Sequence, residues 1–169
     1  MIQSLEIQVG DWLRQCSLKL VVAESCTGGL IGHRITNVPG SSEYYLGSIT
    51  AYSYGVKQRL LGVRPETLLA HGAVSRQTVL EMARGVRQSL GGECPLDEVI
   101  GLSVSGIAGP GGATPDKPVG LVWIGISALA GDFAWHFIGQ GNRQENKSFS
   151  ADLALQLLLE VLQGQPRPE

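Results

Sequence analysis

With 169 residues, 43% of them hydrophobic and 17% charged, the chain has the size and composition of one well-packed globular domain. A formal net charge of -2 and a pI near 5.9 leave no basic face or stripe to grip a nucleic-acid backbone, so nucleic acid is disfavoured as a partner. The amino terminus lacks a basic region leading into an apolar run, and no segment reaches roughly 18 uninterrupted apolar residues, so the expectation is a soluble, cytoplasmic protein without a membrane partner.

Leu5, Ile7, Val9, Trp12, Leu13 and Cys16 follow a mostly helical spacing over residues 4–16, and residues 18–24 then read as a short β-branched strand. That strand stops at Ser25 and runs into a glycine-rich helix start, with the helical pattern extending from Cys26 through Ile35 until Pro39-Gly40-Ser41-Ser42 breaks it. A strand follows over about Tyr45 to Ser53. Val56 to Leu61 reads as a short helix ending near Gly62, and Pro65 to His71 as a helical turn ended by Gly72. Ser75 reads as the N-cap of a helix carrying Val79, Met82, Ala83, Val86 and Leu90 on one side, stopped by Gly91-Gly92.

Asp97 to Ser105 is a strongly apolar strand, and Gly106 to Gly120 is a glycine- and proline-rich loop of a length that is often functional. Val119 to Ala130 and Phe133 to Ile138 suggest a hairpin turning at Gly131-Asp132. Asn146 to Leu162 reads as a final helix and residues 164–169 as a flexible tail. No repeat or internal linker divides the chain. The expected architecture is therefore α/β: a single-domain layered sandwich over residues 1–163, its mixed β-sheet flanked by helices.

Three glycine-marked segments stand at expected strand ends: Glu24 to Gly29, Thr50 to Lys57, and Ser103 to Pro110. In open α/β sheets ligands favour the crevice at the carboxyl ends of strands. A serine just past such an end can be a nucleophile with helix-start N–H groups nearby, but it can equally cap the helix or help to cradle phosphate. As a nucleophile Ser25 needs a base. None of His33, His71 and His136 is tied to a glycine segment, whereas a desolvated Lys57 could serve; the bland alternative for Lys57 is a solvated helix residue beside Arg59.

Tyr52 could donate a hydrogen bond or relay a proton, with Tyr54 the weaker substitute. Cys26 is a rival nucleophile or a small buried hydrophobe. Ser105 and Gly106 could bind phosphate or ribose. The three cysteines, Cys16, Cys26 and Cys94, lack CxxC or Cys/His ligand spacing, so neither a disulfide framework nor a metal site is indicated. Absence of a P-loop lysine pattern and of GxGxxG argues against an ATPase or a dinucleotide-binding protein, and no cofactor is called for.

Ala23-Glu24-Ser25-Cys26-Thr27-Gly28-Gly29, Pro39-Gly40-Ser41-Ser42, Tyr52 with Lys57, His71-Gly72-Ala73-Val74-Ser75, Ser105-Gly106-Ile107-Ala108-Gly109-Pro110 and Lys117-Pro118-Val119-Gly120 together carry a family resemblance. In this order and spacing the chain resembles the C-terminal domain of the CinA competence/damage-inducible proteins, including the stand-alone nicotinamide-nucleotide amidase form, PncC, from about Ile7 to Leu162. The resemblance implies hydrolysis of the carboxamide of nicotinamide mononucleotide in pyridine-nucleotide salvage, a homodimer, and the short form without a pyrophosphatase-like domain.

It further implies Ser25 as nucleophile, Lys57 as its base, Tyr52 as a relay or orienting group, and Ser105, where relatives have threonine, in the polar network. Arg143, in Gly141-Asn142-Arg143, falls in a family arginine motif and could meet the substrate phosphate. On that mechanism the N–H groups of Thr27, Gly28 and Gly29 would hold the oxyanion, with Gly106 beside the substrate. Tyr54-Gly55-Val56 departs from the family, which often has asparagine at the first of these positions. A non-catalytic nucleotide-binding module and an amidase for another small carboxamide remain the alternatives.

Overall fold

Period-two alternation along the first strand decides which helices cover which face of the sheet. In a computed structural model, which describes residues 3–92 and 94–168, β1 (Lys19–Glu24) lies second in a five-stranded sheet. The others are β2 (Tyr45–Thr50), β3 (Val99–Gly106), β4 (Leu121–Ala128) and β5 (Gly131–Ile138), in the order β2-β1-β3-β4-β5. β1 runs parallel to β2 and β3, whereas β3, β4 and β5 pair antiparallel, so the sheet is mixed as expected.

Leu20 and Val22 of β1 point into a core shared with α1 (Leu5–Gln15), α2 (Leu30–Thr36) and α6 (Arg143–Leu162). Val21 and Ala23 point the other way, toward α3 (Tyr54–Leu61), α4 (Pro65–His71) and α5 (Arg76–Leu90). The result is one layered α/β domain. Among the described residues no helix is long and apolar enough to cross a membrane.

α5 lies unusually close to its neighbours because two glycines permit it. A Cβ on Gly85 would stand 1.8 Å from the Leu61 carbonyl oxygen, and one on Gly101 of β3 would stand 2.1 Å from the Ala83 carbonyl oxygen. Neither backbone can yield without moving a helix. Gly85→Ala is therefore expected to cost about 3 kcal/mol despite alanine's better helix propensity; a denaturant midpoint equal to or above that of the wild type would contradict this packing.

Several element boundaries differ from the sequence reading for local reasons. α2 begins only at Leu30, because Gly28 and Gly29 occupy positive φ (63° and 96°) in the turn that follows Ser25. β2 stops at Thr50, and Ser53 caps α3 by accepting the Val56 N–H at 3.3 Å. The hairpin turns at Leu129-Ala130, two residues early, since Ala128 pairs with Gly131. α6 starts at Arg143 on a capping box made by Asn142 and Glu145, a signal the sequence reading passed over. Residues 164–168 have no regular structure, but Arg167 pairs with Glu160 and its carbonyl accepts the Trp135 indole N–H at 3.1 Å; Glu169 of the expected tail lies outside the described residues.

Candidate active site

The alternation that sorts the helices also separates Glu24 from Ser25. Glu24 shares the face of Leu20 and Val22 and turns to α2, while Ser25 continues the series of Val21 and Ala23 toward α3. Ser25 stays on the sheet as its N–H donates to the Val104 carbonyl at 3.0 Å. On that side α3 presents Lys57, whose Nζ stands 2.9 Å from Ser25 Oγ and donates to the Ala51 carbonyl at 2.6 Å. The lysine is 1% exposed.

No carboxylate pairs with Lys57 among the described residues, and burial, opposed only weakly by Cys26 nearby, brings its amine down from 10.5 to about 8. In its neutral form the amine would donate to Ala51 and accept the Ser25 hydroxyl proton across the same 2.9 Å contact. The solvated-lysine alternative is thereby overturned. Cys26 is buried beside the pair, and desolvation pushes its thiol up to about 11, which keeps it protonated and a poor nucleophile at neutral pH.

Ser25, Cys26, Tyr52, Lys57, Ser105, Gly106 and Arg143 line one cavity of about 250 Å³. The three glycine-marked strand ends do converge. Ser105 is 1% exposed and its hydroxyl donates to the Ala73 carbonyl at 2.8 Å, so it fixes the wall formed by residues 71–75. Arg143, the first residue of α6, donates to the Gly109 carbonyl at 2.7 Å and to the Tyr52 hydroxyl at 2.8 Å. Tyr52 is 61% exposed, and among the described residues no hydrogen bond joins it to Ser25 or Lys57. It belongs with Arg143 on the rim; no contact supports the proton relay.

Thr27, Gly28 and Gly29 do not line this cavity. The Gly28 N–H is spent on the Ser25 carbonyl at 3.1 Å, and the helix start beyond it faces the opposite side of the sheet. Glu24 Oε2 accepts the N–H of Gly29 at 3.0 Å and of Ile31 at 3.1 Å, and Oε1 accepts that of Gly32 at 2.9 Å. A fully buried carboxylate thus satisfies the amino end of α2 and anchors the turn bearing Ser25. The alternating apolar run before Ser25 carried the signal for this. Glu24→Gln turns one acceptor oxygen into an amide NH2 donor facing backbone N–H groups, and about 1–3 kcal/mol of stability is expected to be lost in thermal unfolding.

A larger cavity of about 650 Å³ lies beyond the 71–75 wall and contains His71 and His136. It holds neither Ser25 nor Lys57, so its size does not make it the reaction site. His33 lies in α2, away from both cavities. Tyr54 donates no chemistry to the pair; its hydroxyl accepts the Ala73 N–H at 3.3 Å and so supports the same wall.

Residues 2–162 match the family described as the CinA C-terminal domain. A CinA-like protein of Salinibacter ruber is 46% identical over 153 residues, which cover 90% of this chain and 36% of that protein. The crystal structure of competence damage-inducible protein A (ComA) from Klebsiella pneumoniae superposes with a TM-score of 0.87 at 30% identity, covering 94% of this chain and 95% of that one. The competence/damage inducible protein CihA of Agrobacterium tumefaciens superposes at 0.81 with 34% identity, covering 96% and 98%. The chain spans little more than a third of the length of the curated relatives, 38% and 36% in two of them.

Proposed function

The chain belongs to the CinA C-terminal domain family, and from that premise we propose that it is an amidohydrolase deamidating nicotinamide mononucleotide to nicotinate mononucleotide and ammonia. The observation that carries the reading is the contact of Ser25 Oγ with a buried lysine amine at 2.9 Å, inside a cavity at the carboxyl ends of β1 and β3. A binding module has no use for a desolvated amine without a carboxylate partner, aimed at a hydroxyl; a Ser/Lys dyad requires one.

Neutral Lys57 takes the Ser25 proton as Oγ attacks the carboxamide carbon. It returns that proton to the amide nitrogen as the C–N bond breaks and ammonia leaves. Water, deprotonated by the same amine, then attacks the acyl-enzyme, releasing the carboxylate product and restoring the hydroxyl. The guanidinium of Arg143 keeps donors beyond those given to Gly109 and Tyr52, and its place on the rim suits it to the phosphate of the substrate, far from the reacting bond.

The deciding measurement is ammonia release by the wild type from nicotinamide mononucleotide, with nicotinamide and glutamine as competitors for the role of substrate. Arg143→Ala is expected to raise KM for the mononucleotide by about 10-fold to 100-fold, the worth of one charge-assisted hydrogen bond, with kcat much less affected. An unchanged KM would remove Arg143 from phosphate recognition.

A further inference from the structure

Any acyl transfer at Ser25 leaves negative charge on the former carbonyl oxygen, and in the turn after Ser25 the Gly28 and Gly29 amides are already bonded, to the Ser25 carbonyl and to Glu24. The strand register shows which group can meet that charge. In a β-strand the N–H and C=O of one residue point to the same side, and successive residues alternate. The Val104 carbonyl faces β1, since it accepts the Ser25 N–H at 3.0 Å. The Ile107 N–H faces β4, since it donates to the Leu121 carbonyl at 2.8 Å, and the Ile107 carbonyl accepts the Gly120 N–H at 2.7 Å. Both observations place the intervening Gly106 N–H on the β1 side.

There β1 has ended at Glu24. The acceptor that the parallel ladder would next offer is the Ser25 carbonyl, and it takes the Gly28 N–H at 3.1 Å instead. The Gly106 N–H therefore has no acceptor among the described residues, and Gly106, Ser25 and Lys57 line the same cavity. Glycine at this position lets β3 pack closely here, since a Cβ would lie 2.8 Å from the Leu121 carbonyl oxygen and 3.1 Å from Cys26 Sγ.

We infer that the backbone N–H of Gly106 donates to the oxyanion formed when Ser25 attacks its carboxamide, an inference that rests on the amidase reading and deepens it. As the Oγ–C bond forms, the Ser25 proton passes to Lys57 and the carbonyl π pair moves onto oxygen, where the Gly106 N–H meets it. Collapse returns the pair to the C–O bond, expels the nitrogen with the proton held by Lys57, and leaves the acyl-enzyme. The amide is held by the strand register before substrate arrives, so no reorganisation is needed when the charge develops. Its role lies with the reacting oxygen, in place of the phosphate or ribose contact expected from the sequence.

The test replaces Gly106 with glycolic acid by nonsense suppression, turning the Ser105–Gly106 amide into an ester that lacks this one N–H. The expected result is a fall in kcat of about 100-fold to 1,000-fold with KM for nicotinamide mononucleotide changed little. The same ester at Ile107, whose N–H serves only the sheet, is expected to keep kcat within about threefold. Equal losses at the two positions, or a Gly106 ester with wild-type kcat, would overturn the assignment.

If the Gly106 ester does not fold, wild-type crystals carrying a diisopropyl fluorophosphate adduct on Ser25 decide the matter. A phosphoryl oxygen within about 3.2 Å of the Gly106 nitrogen supports the inference, and one held by Thr27 to Gly29 refutes it. Wild-type protein that releases no ammonia from the mononucleotide overturns the amidase reading alone, because the adduct reports on Gly106 without that substrate.

Discussion

Ser25→Ala is expected to cut ammonia release from nicotinamide mononucleotide by about 10,000-fold or more, leaving only what binding and oriented backbone donors supply. No other group in the cavity can take over. Cys26 is held protonated by burial, with its thiol at about 11, and the Ser105 hydroxyl is committed to the Ala73 carbonyl. The fold should tolerate the change, because the Ser25 N–H keeps Val104 and Lys57 keeps the Ala51 carbonyl. A melting temperature near that of the wild type together with lost turnover is the expected pair of results. Turnover within about tenfold of the wild type would remove Ser25 from the chemistry.

Lys57→Met follows in size, with kcat falling by about 1,000-fold, the worth of a general base beside a weak nucleophile. The wild-type pH profile gives the same group a second signature. With the amine at about 8, kcat/KM should climb as pH rises through that value, because only the neutral amine accepts the Ser25 proton. A rate flat from pH 6 to 9 would assign the base elsewhere.

Stability carries a third signature of this lysine. Between about 8 and 10.5 the unfolded chain holds a proton on Lys57 that the folded chain has released, so folding becomes more favourable as pH rises through that window. Below about 8 the cost of the buried charge is present in full, and the whole interval corresponds to about 3 kcal/mol at most. Subtracting the Lys57→Met curve cancels every other titrating group. The wild type should gain on the variant across that window, and parallel curves would show that the amine is not depressed.

The candidate site was legible where local chemistry is dictated by neighbours in sequence. Ser25 follows an apolar strand and precedes two glycines, and Ser75 caps the helix it was expected to cap, accepting the Thr78 N–H at 3.2 Å. The convergence of the three glycine-marked segments followed from parallel strands ending on one side of a sheet. For Tyr52, expected as a relay or orienting group, spacing shows only its nearness to Lys57 along the chain and not that its hydroxyl accepts from Arg143, 91 residues later.

The helix-start glycines differ from the sequence expectation for a related reason. Following Ser25 in sequence does not by itself put the donors of Gly28 and Gly29 beside its hydroxyl. Alternation across a strand sends consecutive residues to opposite faces, so Glu24 on one side consumes the amides of Gly29, Ile31 and Gly32 while Ser25 meets Lys57 on the other.

By itself the sequence determined the α/β class, the mixed sheet, the family and the pairing of Ser25 with Lys57 as candidates, because hydrophobic period, glycine placement and motif order are local properties of the chain. Only the tertiary structure decided that Lys57 is 1% exposed with no carboxylate partner among the described residues, that Glu24 holds the turn, and that Gly106 lines the cavity with Ser25. Desolvation and hydrogen-bond direction depend on atoms brought from distant parts of the chain, and those are fixed only when the sheet and its two layers of helices close around the site.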